Sequence, residues 1–220
     1  MPAIFPRWTN NIPIAIGVLA PLVGAGLVFA VWYWFSPAYT DVGYRPEQPV
    51  PYSHKLHAGD MGMDCRYCHN TVERSAHAAI PPTQTCMNCH EQVKTESQRL
   101  RLVRESYATG EAIPWVRVHM LPDYAYFDHS AHVGGVIEVR VVGCATCHGR
   151  VDKMVVVEQQ QPLSMGWCLD CHRNPGPNLR PRDQVTNMGW DRAVEDYDPK
   201  RDPTRTRPVN PPLHCSGCHR

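Results

Sequence analysis

The chain has 220 residues, ten of them Cys and twelve His, with 20% charged residues, 43% apolar residues and a net charge of +1. No basic excess exists to neutralise phosphates, which argues against a nucleic-acid partner, and the apolar fraction argues against an acidic disordered tail. Ten cysteines are too many for an ordinary reduced cytosolic enzyme and imply disulfides, metal or cofactor attachment, a choice that the spacing decides.

In chain order the first element is an apolar run. Residues 12–35 carry no charge over 24 positions, and as a helix at 1.5 Å per residue they would span about 36 Å, enough to cross a bilayer with some tilt. Trp32, Tyr33, Trp34 and Phe35 close the run with side chains that suit a membrane–water interface. A cleaved leader has an apolar region of only about 7–15 residues, so an uncleaved single-pass anchor is expected, although Ser36-Pro37-Ala38 offers a small-residue cleavage pattern. Arg7 before the run, against Asp41, Arg45 and Glu47 after it, places residues 1–11 in the cytoplasm and 36–220 outside it. Ala20/Gly24 and Gly26/Ala30 permit close helix approach, and Pro21 in mid-span asks for neighbours. These features suit a membrane partner about as well as a simple anchor.

The cysteines then fall into five Cys-x-x-Cys pairs: Cys65/Cys68, Cys86/Cys89, Cys144/Cys147, Cys168/Cys171 and Cys215/Cys218. Each is followed at once by a histidine: His69, His90, His148, His172 and His219. Cys-x-x-Cys-His is the attachment pattern of c-type haem. Two thiols at this spacing form thioethers to one porphyrin, and the adjacent imidazole becomes the proximal iron ligand. The seventeen residues between Cys68 and Cys86, and the twenty between Cys147 and Cys168, also fit four-cysteine zinc ribbons. Zinc would strand the fifth pair and leave five histidines unexplained. Structural disulfides fit worse, since Cys-x-x-Cys is usually redox-active. Five haem c groups are therefore expected.

The residues from Ser36 onward amount to 37 per motif, so the porphyrins themselves are expected to form the apolar core. The 21 prolines fit a chain that wraps rather than packs. The expected fold is a multihaem cytochrome c, mostly irregular, with a few short α-helices and minor β structure around five haems, plus one N-terminal transmembrane helix. Glu91–Tyr107 is the best extramembrane helix, closed by Gly110 and Pro114. Val136–Val142 and Met154–Glu158 read as a short hairpin, and Asn174–Pro212 as an extended arm. Tyr52-Ser-His54-Lys-Leu-His57 precedes the first motif, and Phe127-Asp-His129-Ser-Ala-His132 precedes the third, both aromatic-x-His-x-x-His. First cysteines are spaced by 21, 58, 24 and 47 residues. The chain thus reads as two di-haem modules, about 40–122 and 123–182, with a fifth haem on the tail 183–220.

Seven histidines stand outside the motifs: His54, His57, His77, His119, His129, His132 and His214. Iron in haem takes an axial ligand on each face. The two His-x-x-His pairs supply four distal ligands, His54, His57, His129 and His132, and His77 is the fifth choice, with His119 an alternative. His214 abuts Cys215 and fits less well. Met188, after the fourth motif, is the alternative for one His/Met iron of raised potential. Met120, Met154 and Met165 read as packing residues.

With these motifs in hand, the chain resembles the class III multihaem cytochromes, the cytochrome c3 and c7 group. More closely, it resembles the pentahaem subunit of bacterial alternative complex III. The stretches that carry the likeness are Tyr52–His57, Ile80–His90, Trp115–His119 and Ser164–His172. The resemblance implies an electron-transfer subunit, not itself catalytic, in a membrane quinol:electron-acceptor oxidoreductase. Its partners would be an integral membrane quinol-binding subunit, an iron–sulfur subunit of molybdopterin-enzyme type and a monohaem cytochrome c. The acceptor would be a soluble carrier or a terminal oxidase, and the haem domain would be periplasmic. Two other classes compete. A catalytic pentahaem reductase exposes one open iron, often on Cys-x-x-Cys-Lys, whereas all five motifs here end in His. An anchored tetrahaem quinol dehydrogenase usually carries Met two residues after its first motif, where this chain has Asn70-Thr71.

Overall fold

The structure is a computed structural model and describes residues 4–134, 141–202 and 209–220. A 3-10 turn, Arg7–Asn11, leads into α1, Ile12–Trp34, whose side chains are exposed nearly throughout. Pro13 and Pro21 are tolerated differently: the first sits in the opening turn, whose N–H groups have no intrahelical acceptor, and the second lies inside the helix. The helix is long and apolar enough to cross a membrane.

The remainder is built of short helical pieces, mostly one per motif. These are α2 (Pro37–Thr40), α3 (Cys65–Cys68), α4 (Thr83–His90), α5 (Arg101–Thr109), α6 (His129–Val133), α7 (Cys144–His148) and α8 (Met165–Arg173). Among the described residues there is no strand, only the isolated antiparallel bridges Ala125–His219 and Val142–Leu179. Caps set where the motif helices begin. Asp64 accepts the Arg66 backbone N–H at 2.8 Å to open α3, and Ser164 Oγ accepts that of Trp167 at 3.3 Å to open α8.

The protein core is thin. Val50, Met87 and Val103 form one buried cluster, with Leu100, Leu102, Ile113 and Trp115 packed on it. Val133, Val141 and Val185 form the second, against Val72 and Cys144.

Three expectations need correction. The helix expected over Glu91–Tyr107 starts only at Arg101, after a 3-10 turn over Gln98–Leu100. The His90 ring bonds the Val93 carbonyl at 2.9 Å and Lys94 adopts φ +58°, so the chain turns back on the second motif before α5 can start. α5 then ends at Gly110, φ +78°, as expected. The expected hairpin falls partly on 136–140, outside the described residues. Its other limb pairs elsewhere: Lys55 N–H donates to the Met154 carbonyl, and Gln159 exchanges backbone bonds with Gly43 and Tyr44. The first part of the expected arm, from Asn174, is packed down instead. Leu179 and Val185 are buried, and the Val185 carbonyl accepts the Cys144 N–H at 3.1 Å.

Candidate haem-binding centre

The two aromatic-x-His-x-x-His segments fold alike. Tyr52 stacks on His57 at 4.5 Å and meets His54 edge-on at 4.8 Å. Phe127 stacks on His132 at 4.5 Å and meets His129 edge-on at 4.8 Å. His57 Nδ1 lies 2.9 Å from the Ser53 carbonyl, and His132 Nδ1 lies 2.7 Å from the Asp128 carbonyl, each four residues back. The aromatic ring meets both imidazoles of a turn, and this bond holds the second of them.

Each turn docks on the loop that follows the other module's first motif. Lys55 N–H donates to Met154, six residues past His148, at 2.8 Å, and Ser130 N–H donates to Ser75, six residues past His69, at 3.2 Å. Glycine makes both approaches possible. A Cβ on Gly59 would overlap the Asp152 carbonyl, and one on Gly134 would overlap that of Glu73. These glycines occupy the same place in the repeat, two residues past its second histidine. Carrying the alignment of the repeat two residues further, to His-x-Gly, would have found them in the sequence. The symmetry breaks at one atom pair: His129 Nδ1 is bonded to the Ala76 carbonyl at 2.7 Å, whereas His54 Nδ1 is buried without a partner.

The motif histidines share a second regularity. Nδ1 of His69 faces the Ala79 carbonyl at 2.6 Å, His90 that of Val93 at 2.9 Å, His172 that of Pro212 at 2.8 Å and His219 that of Tyr124 at 3.0 Å. A carbonyl at Nδ1 puts the proton there and leaves Nε2 as the free donor atom for a metal. His148 differs in that its Nδ1 lies 3.3 Å from His119 Nε2.

Nε2-bound imidazoles at about 2.0–2.1 Å on opposite sides of one metal ion hold their ring centroids roughly 6.4 Å apart. His57 and His90 stand at 6.3 Å, His129 and His148 at 6.4 Å, and His132 and His172 at 6.1 Å. His54 lies in the field of His69 and His57, and burial first, then those rings, lowers it to about 4. Burial, followed by His119 and His129, lowers His148 to about 3, and burial also lowers His132 and His119. These imidazoles are therefore neutral at pH 7, the form that ligates.

All ten thiols are free. Their burial is uneven. Eight of the cysteines are half-buried, but Cys89 and Cys215 are exposed. The reason at Cys89 is the turn of α4. Met87 is buried in the protein core, and Cys89, two residues on, lies about 200° around the helix and so faces solvent. Cys89 thus stands on the open side of the second motif, while Cys86 packs against the core. An open position still lets a thiol form its thioether, so the pair remains fit for attachment.

Among the described residues, no group of three or more His, Cys, Asp or Glu side chains converges to hold a metal ion by itself. Zinc ribbons require such convergence, and haem attachment does not. The thin core, the free thiol pairs and the spaced imidazole pairs fit haem c.

Contacts between the motifs order them in space. Asn88, inside the second motif, donates to the Tyr67 hydroxyl, inside the first, at 3.1 Å. The Cys65 and Cys144 side chains lie close enough to interact, bringing first and third motifs together. Thr186 Oγ1 ties the segment on Cys144 to Asp64 at 2.8 Å. Cys147 lies beside Cys171 and Cys168, and burial, then those thiols, push it up to about 12. Cys168 neighbours Cys218, and the His172 ring holds the chain three residues before Cys215 through Pro212. The order is second, first, third, fourth, fifth.

Of the other sequence candidates, His77 is exposed and is held through its backbone, which accepts from Thr71 Oγ1 at 2.7 Å. Met188 is half-buried in a segment whose bonds run to the first and third motifs rather than the fourth. His214 is exposed.

Comparison with known proteins agrees with this chemistry. Residues 50–106, which hold the first two motifs and His54 and His57, match the family described as cytochrome c7 and related cytochrome c. The likeness to that family is carried by this segment. It is also similar to the menaquinone reductase multiheme cytochrome c subunit of Nitratidesulfovibrio vulgaris (strain Hildenborough), 33% identical over 141 residues. That match covers 63% of this chain and spans 63% of the length of the relative.

Proposed function

We propose that the chain is an electron-transfer subunit that holds five haem c groups in a line and relays electrons for a membrane quinone-reactive complex of the alternative complex III type. The observation that carries this reading is the run of five Cys-x-x-Cys-His motifs, each lying near the next in the order second, first, third, fourth, fifth. Haem c, when bound, supplies a one-electron iron couple. The protein's part is to hold and tune it. Cys65/Cys68, Cys86/Cys89, Cys144/Cys147, Cys168/Cys171 and Cys215/Cys218 attach the five groups. The exposed Cys89 and Cys215 mark where the second and fifth groups, at the two ends of the line, would meet solvent or a partner. His69, His90, His148, His172 and His219 are the proximal ligands, with Nδ1 held so that Nε2 is free. His54, His57, His129 and His132 are the distal partners of His69, His90, His148 and His172. His77, held beside Thr71 just past the first motif, is the fifth distal candidate, and Met188 is the alternative for one His/Met iron. Imidazoles held in place change little between oxidation states, which keeps reorganisation small.

In this reading α1 is a single-pass anchor with the N-terminus cytoplasmic and the haem domain on the periplasmic side. The partners are an integral membrane quinol-binding subunit, an iron–sulfur subunit of molybdopterin-enzyme type, a monohaem cytochrome c, and a carrier or oxidase as acceptor. A second reading reverses the flow. The similar protein from N. vulgaris is named as part of a menaquinone reductase, so electrons here would run toward quinone.

Three measurements test these readings. A pyridine haemochrome assay on the pure chain should give five haems, and fewer would refute the count. Stopped-flow spectra of the complex purified from membranes should show these haems reduced by added menaquinol and reoxidised by the acceptor. Reoxidation by menaquinone from a reduced soluble donor, without reduction by quinol, selects the reverse direction. Strong CO binding to the reduced chain would favour a catalytic reductase instead.

A further inference from the structure

The third motif departs from the other four at one atom. Its histidine, His148, meets at Nδ1 not a backbone carbonyl but the imidazole of His119, at 3.3 Å between Nδ1 and Nε2. The two rings stand edge-on, 4.5 Å between centroids and 88° between planes. The distal partner proposed for His148 is His129, nearly coplanar with it at 6.4 Å and 4°. His148 thus has a ring on either side of it. One stands at the separation that a shared metal sets, and the other is in direct hydrogen-bond contact, far too close for a metal to lie between them.

We propose that His119 is a positioning residue for the third haem, accepting the His148 Nδ1–H bond, and is not an iron ligand. This rests on the haem-attachment reading above. An imidazole nitrogen is a more basic acceptor than an amide carbonyl. It draws the Nδ1 proton further and makes Nε2 the stronger donor, as second-shell acceptors do at metal-bound histidines. A more basic ligand favours ferric iron, so His119 sets the third haem lower in potential than a carbonyl acceptor would. The backbone helps fix the ring's place: Arg117 Nε donates to the His119 carbonyl at 3.0 Å, folding the chain back on itself at this point. The sites on either side of the third, on the first and fourth motifs, keep carbonyl acceptors. The one site with an imidazole acceptor therefore stands in the middle of the line.

The test is His119→Leu and His119→Asn in the full-length haem-loaded chain. Haem count comes first: fewer than five haems in the wild type means that the attachment reading has failed, not this one. With five haems present, H119L should keep all irons low-spin by electron paramagnetic resonance and bind no CO when reduced. One midpoint potential should rise while the other four stay in place. H119N, which returns a carbonyl oxygen, should move the same potential in the same direction by less. A new high-spin signal or CO binding in either variant would make His119 an axial ligand and overturn the proposal, as would an unchanged set of five potentials in H119L. If H119L fails to load haem, H119N decides alone: one raised potential without CO binding supports the proposal, and anything else refutes it.

Discussion

The reciprocal docking of the two histidine turns predicts an unusual sign for two glycine substitutions. Neither Gly59 nor Gly134 has a positive φ, so alanine fits the backbone at both. At such sites Gly→Ala ordinarily stabilises by about 0.4–1 kcal/mol through the unfolded chain. Here the new methyl would overlap the Asp152 or Glu73 carbonyl, with the carbonyl carbons only 3.3 and 3.0 Å away. Restoring ordinary contact, near 3.5 Å or beyond, needs a shift of about 1 Å. Overpacking of that kind costs about 1–3 kcal/mol. The shift also stretches the neighbouring Lys55–Met154 or Ser130–Ser75 bond, worth about 0.5–1.5 kcal/mol. Net destabilisation of about 1–3 kcal/mol remains, or roughly 3–10 °C in Tm for a chain of this size. Thermal melts followed at the haem absorbance would measure it. Gly166→Ala is the control, since its nearest neighbour is Ser164 Oγ at 4.0 Å, and it should melt at or above wild type. If G59A and G134A also melt at or above wild type, the two modules do not dock as described.

Other predictions follow from single contacts. Removing the cap with Ser164→Ala should cost about 1 kcal/mol by thermal melt, with the loss showing as earlier release of the fourth site. Asp64 is held at about 2, mainly by the Arg66 side chain, and also by the Arg66 N–H and Thr186. Its folded value lies below its unfolded one of about 3.9, so its contribution is complete above that value and fades as pH falls toward 2. The gap in Tm between wild type and Asp64→Asn should therefore shrink between pH 7 and pH 2.5, and a constant gap would rule the assignment out. His57→Ala and His132→Ala should each open one iron, seen as CO binding at one haem in the reduced variant. A variant that binds none would show that the ring paired with His90 or His172 at 6.3 or 6.1 Å is not its distal ligand.

The sequence already displayed what is local. The motifs, the paired histidine turns and the apolar run are contiguous patterns, and each appears in the structure as a helix or turn where the spacing placed it. The misreadings came where particular contacts decide the outcome. Glu91–Tyr107 has helical composition throughout, but the ring bond from His90 to Val93 and the turn at Lys94 delay the helix to Arg101. Met154–Glu158 has strand composition, but the Met154 carbonyl is taken by Lys55, and Gln159, next along, is taken by Gly43 and Tyr44. Cys89 reads like every other motif cysteine, and only the burial of Met87 against Val50 and Val103 turns it outward. His119 looked like one spare imidazole among seven, and only contact with His148 sets it apart. Contacts of this sort leave no periodic trace in the chain.

The crossed docking also has a bearing on how the chain is made. The Lys55 N–H finds its acceptor on Met154, about a hundred residues later, a separation that slows folding. When the first two Cys-x-x-Cys-His motifs leave the ribosome, the shelf that steadies their histidine turn has not yet been synthesised. The first half of the protein can therefore close only once the second half has emerged.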